Sequence, residues 1–188
     1  MSYSLPEDPL FKLADQIRLD AARAAHIKAP RFQQWEPEGS LAGYCAKADE
    51  LLLEKALAQR AGVRGLQVII AHETGHARQR RLTLYSRRLL KLARLTGMCF
   101  LLVALMYPTV WYAFALCGLL VVSLSMPLAM WKELDADRFA ARYVKSSRRV
   151  VATLLRTYRE LDRPRDWHLY LRIWALRVNP YPLVTVRP

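Results

Sequence analysis

Residues 68–79 read Val-Ile-Ile-Ala-His72-Glu73-Thr74-Gly75-His76-Ala-Arg-Gln, and the five-residue stretch His72 to His76 decides how the rest of the chain is read. Residues four apart on a helix share one face, with Cβ atoms about 5–6 Å apart. Two imidazoles presented in that way both reach one divalent cation at roughly 2.0–2.1 Å. Glu73 projects from the neighbouring side of the helix, where a carboxylate takes a proton from a metal-bound water instead of ligating. Gly75 costs the helix about 1 kcal/mol relative to alanine, and a residue without a side chain there lets another backbone approach closely. Val68 to Ala71 supply an apolar face for burial.

Two imidazoles do not complete a catalytic centre, which needs three protein ligands and an open position. The only other histidines are His26 and His168, so a carboxylate is the natural third donor. Downstream, residues 133–137 read Glu-Leu-Asp-Ala-Asp, and Glu133 follows 59 residues that contain no acid. A carboxylate at the end of a long apolar run is costly unless it is paired or bound to a metal. Asp137, one turn on, shares the helical face of Glu133 and is placed to accept the free ring N–H of a ligating histidine. Asp135 points elsewhere and is expected in water. The plain alternative is a charge cluster flanking the apolar run, Lys132 with Glu133 and Asp137 with Arg138.

The combination of HExxH with ExxxD resembles the membrane-associated gluzincin zinc metallopeptidases, including the HtpX and CAAX prenyl protease kind. The stretch AHETGHARQ, 71–79, is closer still to the YugP-type membrane zinc peptidases. The similarity covers about residues 65–143. It implies a mainly α fold with a zincin-like metallopeptidase core, and Zn²⁺ on His72, His76 and Glu133. It also implies Glu73 as general base and Asp137 behind the ligands. A histidine-proline motif expected near the C-terminus is missing; Asn179-Pro180-Tyr181-Pro182 stands in its place.

Residues 97–107 and 109–130 are apolar without a charge, separated by Pro108. A helix of about 20 residues spans a bilayer core. If 97–130 crossed a bilayer once, His72 and Glu133 would lie on opposite sides and could not share an ion. The run is therefore expected to form a transmembrane helical hairpin turning near Tyr107-Pro108-Thr109, inserted into a single metallopeptidase domain of residues 1–188. Arg78, Arg80, Arg81, Arg87, Arg88, Lys91 and Arg94 precede it and the basic cluster Arg138 to Arg149 follows it, so both ends are expected at the cytoplasmic face. The rival is an apolar hairpin buried within a soluble protein.

The net charge is +13, from 29 basic and 16 acidic residues, which suits an anionic membrane surface, acidic substrates or nucleic acid. No groove-reading motif or interleaved aromatic pattern accompanies it, so nucleic acid is not the expected partner. Membrane lipids and a protein or peptide substrate are. The three cysteines form no CxxC pair. Residues 7–28 are expected as an amphipathic helix, with His26 at the surface or capping its end. Residues 29–40 read as a loop; 41–58 suit either a helix or a small β-hairpin beside the metal helix, with the hairpin preferred; 64–80 are that helix. A further helix runs from Glu133 to about 162, and another over 166–178. His168, with Tyr143, Tyr158 and Arg142, is a candidate donor to the oxyanion of a tetrahedral intermediate. Trp167 and Trp174 share a helix face as core or interfacial anchors. The expected activity is a zinc-dependent endopeptidase; the alternative is an inactive, membrane-bound protein that keeps the zinc site for stability and acts as a regulator or assembly partner.

Overall fold

The computed structural model describes residues 8–35, 42–106, 111–160 and 166–178; Tyr107 to Val110, the Asn179–Pro182 stretch and many side chains of 97–130 lie outside that set. Helix α1, Pro9–Ala24, starts where the Asp8 side chain accepts from Leu10 N–H at 3.0 Å and Pro9 occupies the first turn. Phe11, Ala14, Ile17 and Ala21 fall on its buried face. His26 follows at φ 54°, exposed just past the helix, as expected of a surface residue there.

A three-stranded sheet comes next: β1, Arg31–Trp35; β2, Ala42–Cys45; β3, Glu50–Glu54, in the order β1-β3-β2. The expected hairpin is β2 paired antiparallel with β3, Ala42 opposite Leu53 and Cys45 opposite Glu50; it ends at Glu54, and Lys55 to Ala58, expected in the hairpin, open the next helix instead. The expected loop over 29–40 is corrected at 31–35, where β1 pairs in parallel with β3 from Arg31–Glu50 to Trp35–Glu54. Arg-Phe-Gln-Gln-Trp shows little alternation. Its pairing comes from the open side of β3, a long-range contact that local sequence does not announce. Leu51 and Leu53 point from β3 into a core with Phe11, Ile17, Leu57, Leu66 and Ile70.

Helix α2, Lys55–Arg78, follows β3 without a loop and bends at Gly62, whose φ of 63° and ψ of 172° interrupt it. The expected start near residue 64 is therefore the second segment of a longer, kinked helix. Helices α3, Arg80–Met106, and α4, Trp111–Tyr143, pack as an antiparallel pair. Their bases are tied where Lys132 Nζ lies 3.4 Å from Ser86 Oγ and Gln79 Nε2 donates to the Lys132 carbonyl at 3.3 Å. Among the described residues, no helix is long and apolar enough to cross a membrane. The turn expected at Tyr107-Pro108-Thr109 lies outside them.

Helix α4 ends at Tyr143, so the segment expected to run on to residue 162 is broken by a turn at Lys145, φ 53°. Helices α5, Ser147–Glu160, and α6, Trp167–Val178, then pack on α4 and on each other. A second core joins Val68 and Ala71 of α2 to Phe139, Ala140, Ala141, Val150 and Leu176. Helix α2 thus lies between the sheet with α1 on one side and α4, α5 and α6 on the other.

Candidate metal centre

Gly75 sets the distance between the two helices that matter most. A Cβ placed on it would lie 2.8 Å from Ala136 Cα and 3.1 Å from Ala136 Cβ. Only a residue lacking a side chain admits the α4 backbone this close, which is the role its position in the sequence suggested. The approach puts Glu133, one turn before Asp137, across from the histidine pair on α2.

His72 Nε2 and His76 Nε2 are 3.1 Å apart, with the rings edge to face. Glu133 Oε2 lies 3.5 Å from His72 Nε2, and its Oε1 lies 3.4 Å from His76 Nε2. A tetrahedron with bonds of roughly 2.0–2.1 Å has edges of about 3.3–3.4 Å. The imidazole pair, and each imidazole with one Glu133 oxygen, a different oxygen for each ring, stand close to that edge, and one neutral hydrogen bond would account for only one of the three contacts. This is the single group of histidine, cysteine and carboxylate side chains spaced for a metal among the described residues. The Glu133 side chain is 40 % exposed while those of His72 and His76 are 16 % and 19 %, so the cluster opens on one side.

Behind the donors, His72 Nδ1 lies 2.9 Å from Asp137 Oδ1, off the axis of a well-angled hydrogen bond. Asp137 is buried and held by Arg172 of α6 through two bonds, Nε to Oδ2 at 2.6 Å and Nη2 to Oδ1 at 2.7 Å. Arg172 Nη1 also reaches Glu133 Oε2 at 3.2 Å. The guanidinium therefore spans a metal donor and the carboxylate that orients another donor, a fork geometry lysine cannot reproduce.

The charges respond accordingly. Burial alone would depress His72, but the adjacent Asp137 and Glu133 carboxylates outweigh it and hold the imidazole up at about 10. Burial and the charge on His72 push His76 down to about 4. Burial would raise Glu133, but His72, His76 and Arg172 bring it to about 2. Asp137 is lowered in the same way, its burial opposed by the bonds from Arg172 and His72. Glu73, 8 % exposed, is raised chiefly by burial, with Glu133 adding to the effect and the backbone of Tyr44 in β2 hydrogen-bonded to its carboxyl. A base with a raised pKa beside an edge strand suits proton transfer to and from an extended peptide.

Of the residues singled out in the sequence, the structure brings together His72, Glu73, His76, Glu133 and Asp137. It does not bring His168 into the donor group; that ring stacks on Trp167 at 3.7 Å. Asp135, expected in water, is instead bound to Arg78 Nη2 and Gln79 Nε2, each at 2.6 Å. Asp137 does not pair with Arg138 as the plain alternative required. Arg172 is the residue that sequence reasoning missed. A signal was present: it lies between Leu169, Ile173 and Leu176 on the apolar face of its helix, and an arginine there needs buried carboxylates.

No curated protein and no solved structure matches the chain. Residues 12–170 match the family model described as Peptidase family M48, a span that takes in the sheet, both donor helices and α5. The two glutamates and two histidines gathered above all fall within that span, and the chain belongs to the M48 family of gluzincin-type metallopeptidases.

Proposed function

We propose that the protein is a zinc-dependent endopeptidase held at a membrane by the α3–α4 hairpin, with its centre at the cytoplasmic face. One donor atom from each of His72, His76 and Glu133, all within 4.8 Å of one another, carries the reading. Zn²⁺ bound there supplies Lewis acidity, polarising a scissile carbonyl and making water a nucleophile near neutral pH. Glu73 takes the proton from the attacking water and passes it to the leaving amine nitrogen. Asp137 fixes the His72 ring so that Nε2 faces the donors, and Arg172 holds Asp137 and Glu133 in place. Strand β2 is an edge strand of the sheet, beside Glu73, and offers its backbone to an extended substrate.

Support for the anchor comes from the side chains the hairpin leaves uncovered. On α3, Leu89, Leu92, Leu95 and Met98 are 54–66 % exposed, and on α4, Tyr112 and Leu116 are 85 % and 63 % exposed. Apolar residues this exposed along two neighbouring helices suit contact with lipid. The basic residues before and after the apolar run favour the same side for both ends.

Metal analysis and peptide cleavage by detergent-extracted protein test the proposal together. Wild type should hold one zinc and cleave; Glu133→Ala should lose the zinc. Glu73→Gln should keep the zinc and lose roughly 10²–10⁴-fold in rate. A Glu73→Gln protein with wild-type turnover would defeat the mechanism.

A further inference from the structure

A second opening lies along α2 before the metal donors. It is a cavity of about 210 Å³ between α2 and α5, lined by Leu57, Ala61, Gly65 and Ile69 at its apolar floor, with arginines and threonines at its mouth. Three guanidinium groups border it: Arg64, Arg149 and Arg156. No carboxylate lines it, and Arg64 and Arg149 have no acidic partner among the described residues. Arg156 is committed to the Arg60 carbonyl at 2.8 Å, just before the Gly62 kink. Two arginines without an acidic partner among the described residues, beside a small cavity, attract an anion.

The cavity shares a helix face with the centre. Gly65, Ile69, His72 and His76 follow one another at spacings of four, three and four. From Gly65 to Thr74, midway between the histidines, is a rise of roughly 13 Å at about 1.5 Å per residue. An extended peptide covers that distance in about four residues.

We propose that this cavity receives an acidic side chain of the substrate, so that the protein prefers peptides with Asp or Glu about four residues from the cleaved bond. The inference rests on the peptidase reading for its substrate. The carboxylate meets Arg64 and Arg149, and its methylene stem lies over Ile69 and Ala61. Net charge on the chain adds a general attraction for acidic peptides, and the cavity turns that attraction into a position.

The test uses the full chain, zinc-loaded and in detergent, with a pool of random 12-residue peptides and a matching pool without Asp and Glu. Cleavage products read by mass spectrometry should be enriched in acid about four residues to one side of the cut. Arg64→Ala with Arg149→Ala should cut neutral peptides at the wild-type rate and lose roughly tenfold in kcat/KM on acidic ones. The Arg→Lys pair, which keeps the charge, should recover part of the loss. Arg148→Ala changes a neighbouring arginine outside the cavity and should leave the preference intact. Cleavage with no acidic preference overturns the inference while the peptidase stands, and so does an equal loss in Arg148→Ala, which marks bulk charge alone. If nothing is cut, retention of the two pools by zinc-loaded Glu73→Gln protein decides. Acid-dependent retention that needs Arg64 and Arg149 upholds the inference as the peptidase falls; equal retention ends it. Inorganic phosphate that raises the melting midpoint through the same arginines, with no acidic preference among peptides, assigns the cavity to a small anion and also overturns it.

Discussion

Helix α4 is one rod in two settings. Its last turns bury Ala136, Asp137, Phe139, Ala140 and Ala141 against α2, α5 and α6. Its first turns leave Tyr112 and Leu116 uncovered, opposite an α3 whose Leu92 and Leu95 are also uncovered. Both halves are helical, although Pro127 inside the rod has no N–H and removes one bond of the backbone ladder. What differs is the partner. One half is held by close backbone approach and opposed charges, and the other displays apolar groups to whatever solvent surrounds it. Changes to the first half should therefore cost stability and metal, and changes to the second should alter where the protein resides.

The largest expected effect is at Arg172. Arg172→Ala leaves buried Asp137 with only His72 beside it, and breaking a buried pair costs up to about 3–5 kcal/mol. Denaturant unfolding in the presence of chelator measures it, and a loss below 1 kcal/mol would mean that α6 does not hold the centre. Gly75→Ala comes next. The added methyl has to displace Ala136, so about 1–3 kcal/mol of overpacking is expected, together with weaker metal retention as Glu133 moves off the histidines. An unchanged zinc affinity would show that the helix spacing is slack.

Proton linkage gives a third effect, of about 1.4 kcal/mol per pH unit. In the metal-free protein His72 titrates near 10 and His76 near 4, so at pH 7 one proton sits on His72. Metal requires both rings neutral. Zinc binding should therefore release about one proton, and affinity should climb tenfold per pH unit from 7 to 9. Calorimetry in buffers of different ionisation enthalpy counts that proton; a count near zero removes the raised His72. The sign for the metal-free fold is opposite. A raised histidine stabilises the fold fully below the unfolded value of about 6.5, and this contribution fades as pH rises through about 10. The smallest effect belongs to the apolar half. Leu92→Gln and Leu95→Gln should stay within about 0.5 kcal/mol in detergent. They should still reduce flotation with lipid vesicles, and undiminished flotation would take the hairpin out of the bilayer.

The centre was legible because its chemistry is local at each end. The histidine spacing is a property of one helix, and Glu133 stood out as the first acid after a long gap. Their meeting followed from a single requirement, that three donors share one ion. The sheet was half legible: β2 and β3 are neighbours joined by a short turn, whereas β1 pairs across intervening chain and carries no turn signal. Arg172 was hidden for the same reason. Its partners lie 35 residues upstream, in Asp137, and a little further, in Glu133, so only the packing of α6 on α4 reveals them. The metal helix was expected to start near residue 64, beyond Gly62, because glycine usually ends a helix. Here it bends one, and the left-handed step is taken within a segment that both neighbours continue.

The reach of Arg172 to both Glu133 and Asp137 also orders events in time. As the polypeptide leaves the ribosome, the imidazole pair and both acids emerge well before the arginine that neutralises them. Until α6 packs on α4, Glu133 and Asp137 have only the imidazoles beside them. The donors are thus synthesised first, and the arginine that steadies them comes last.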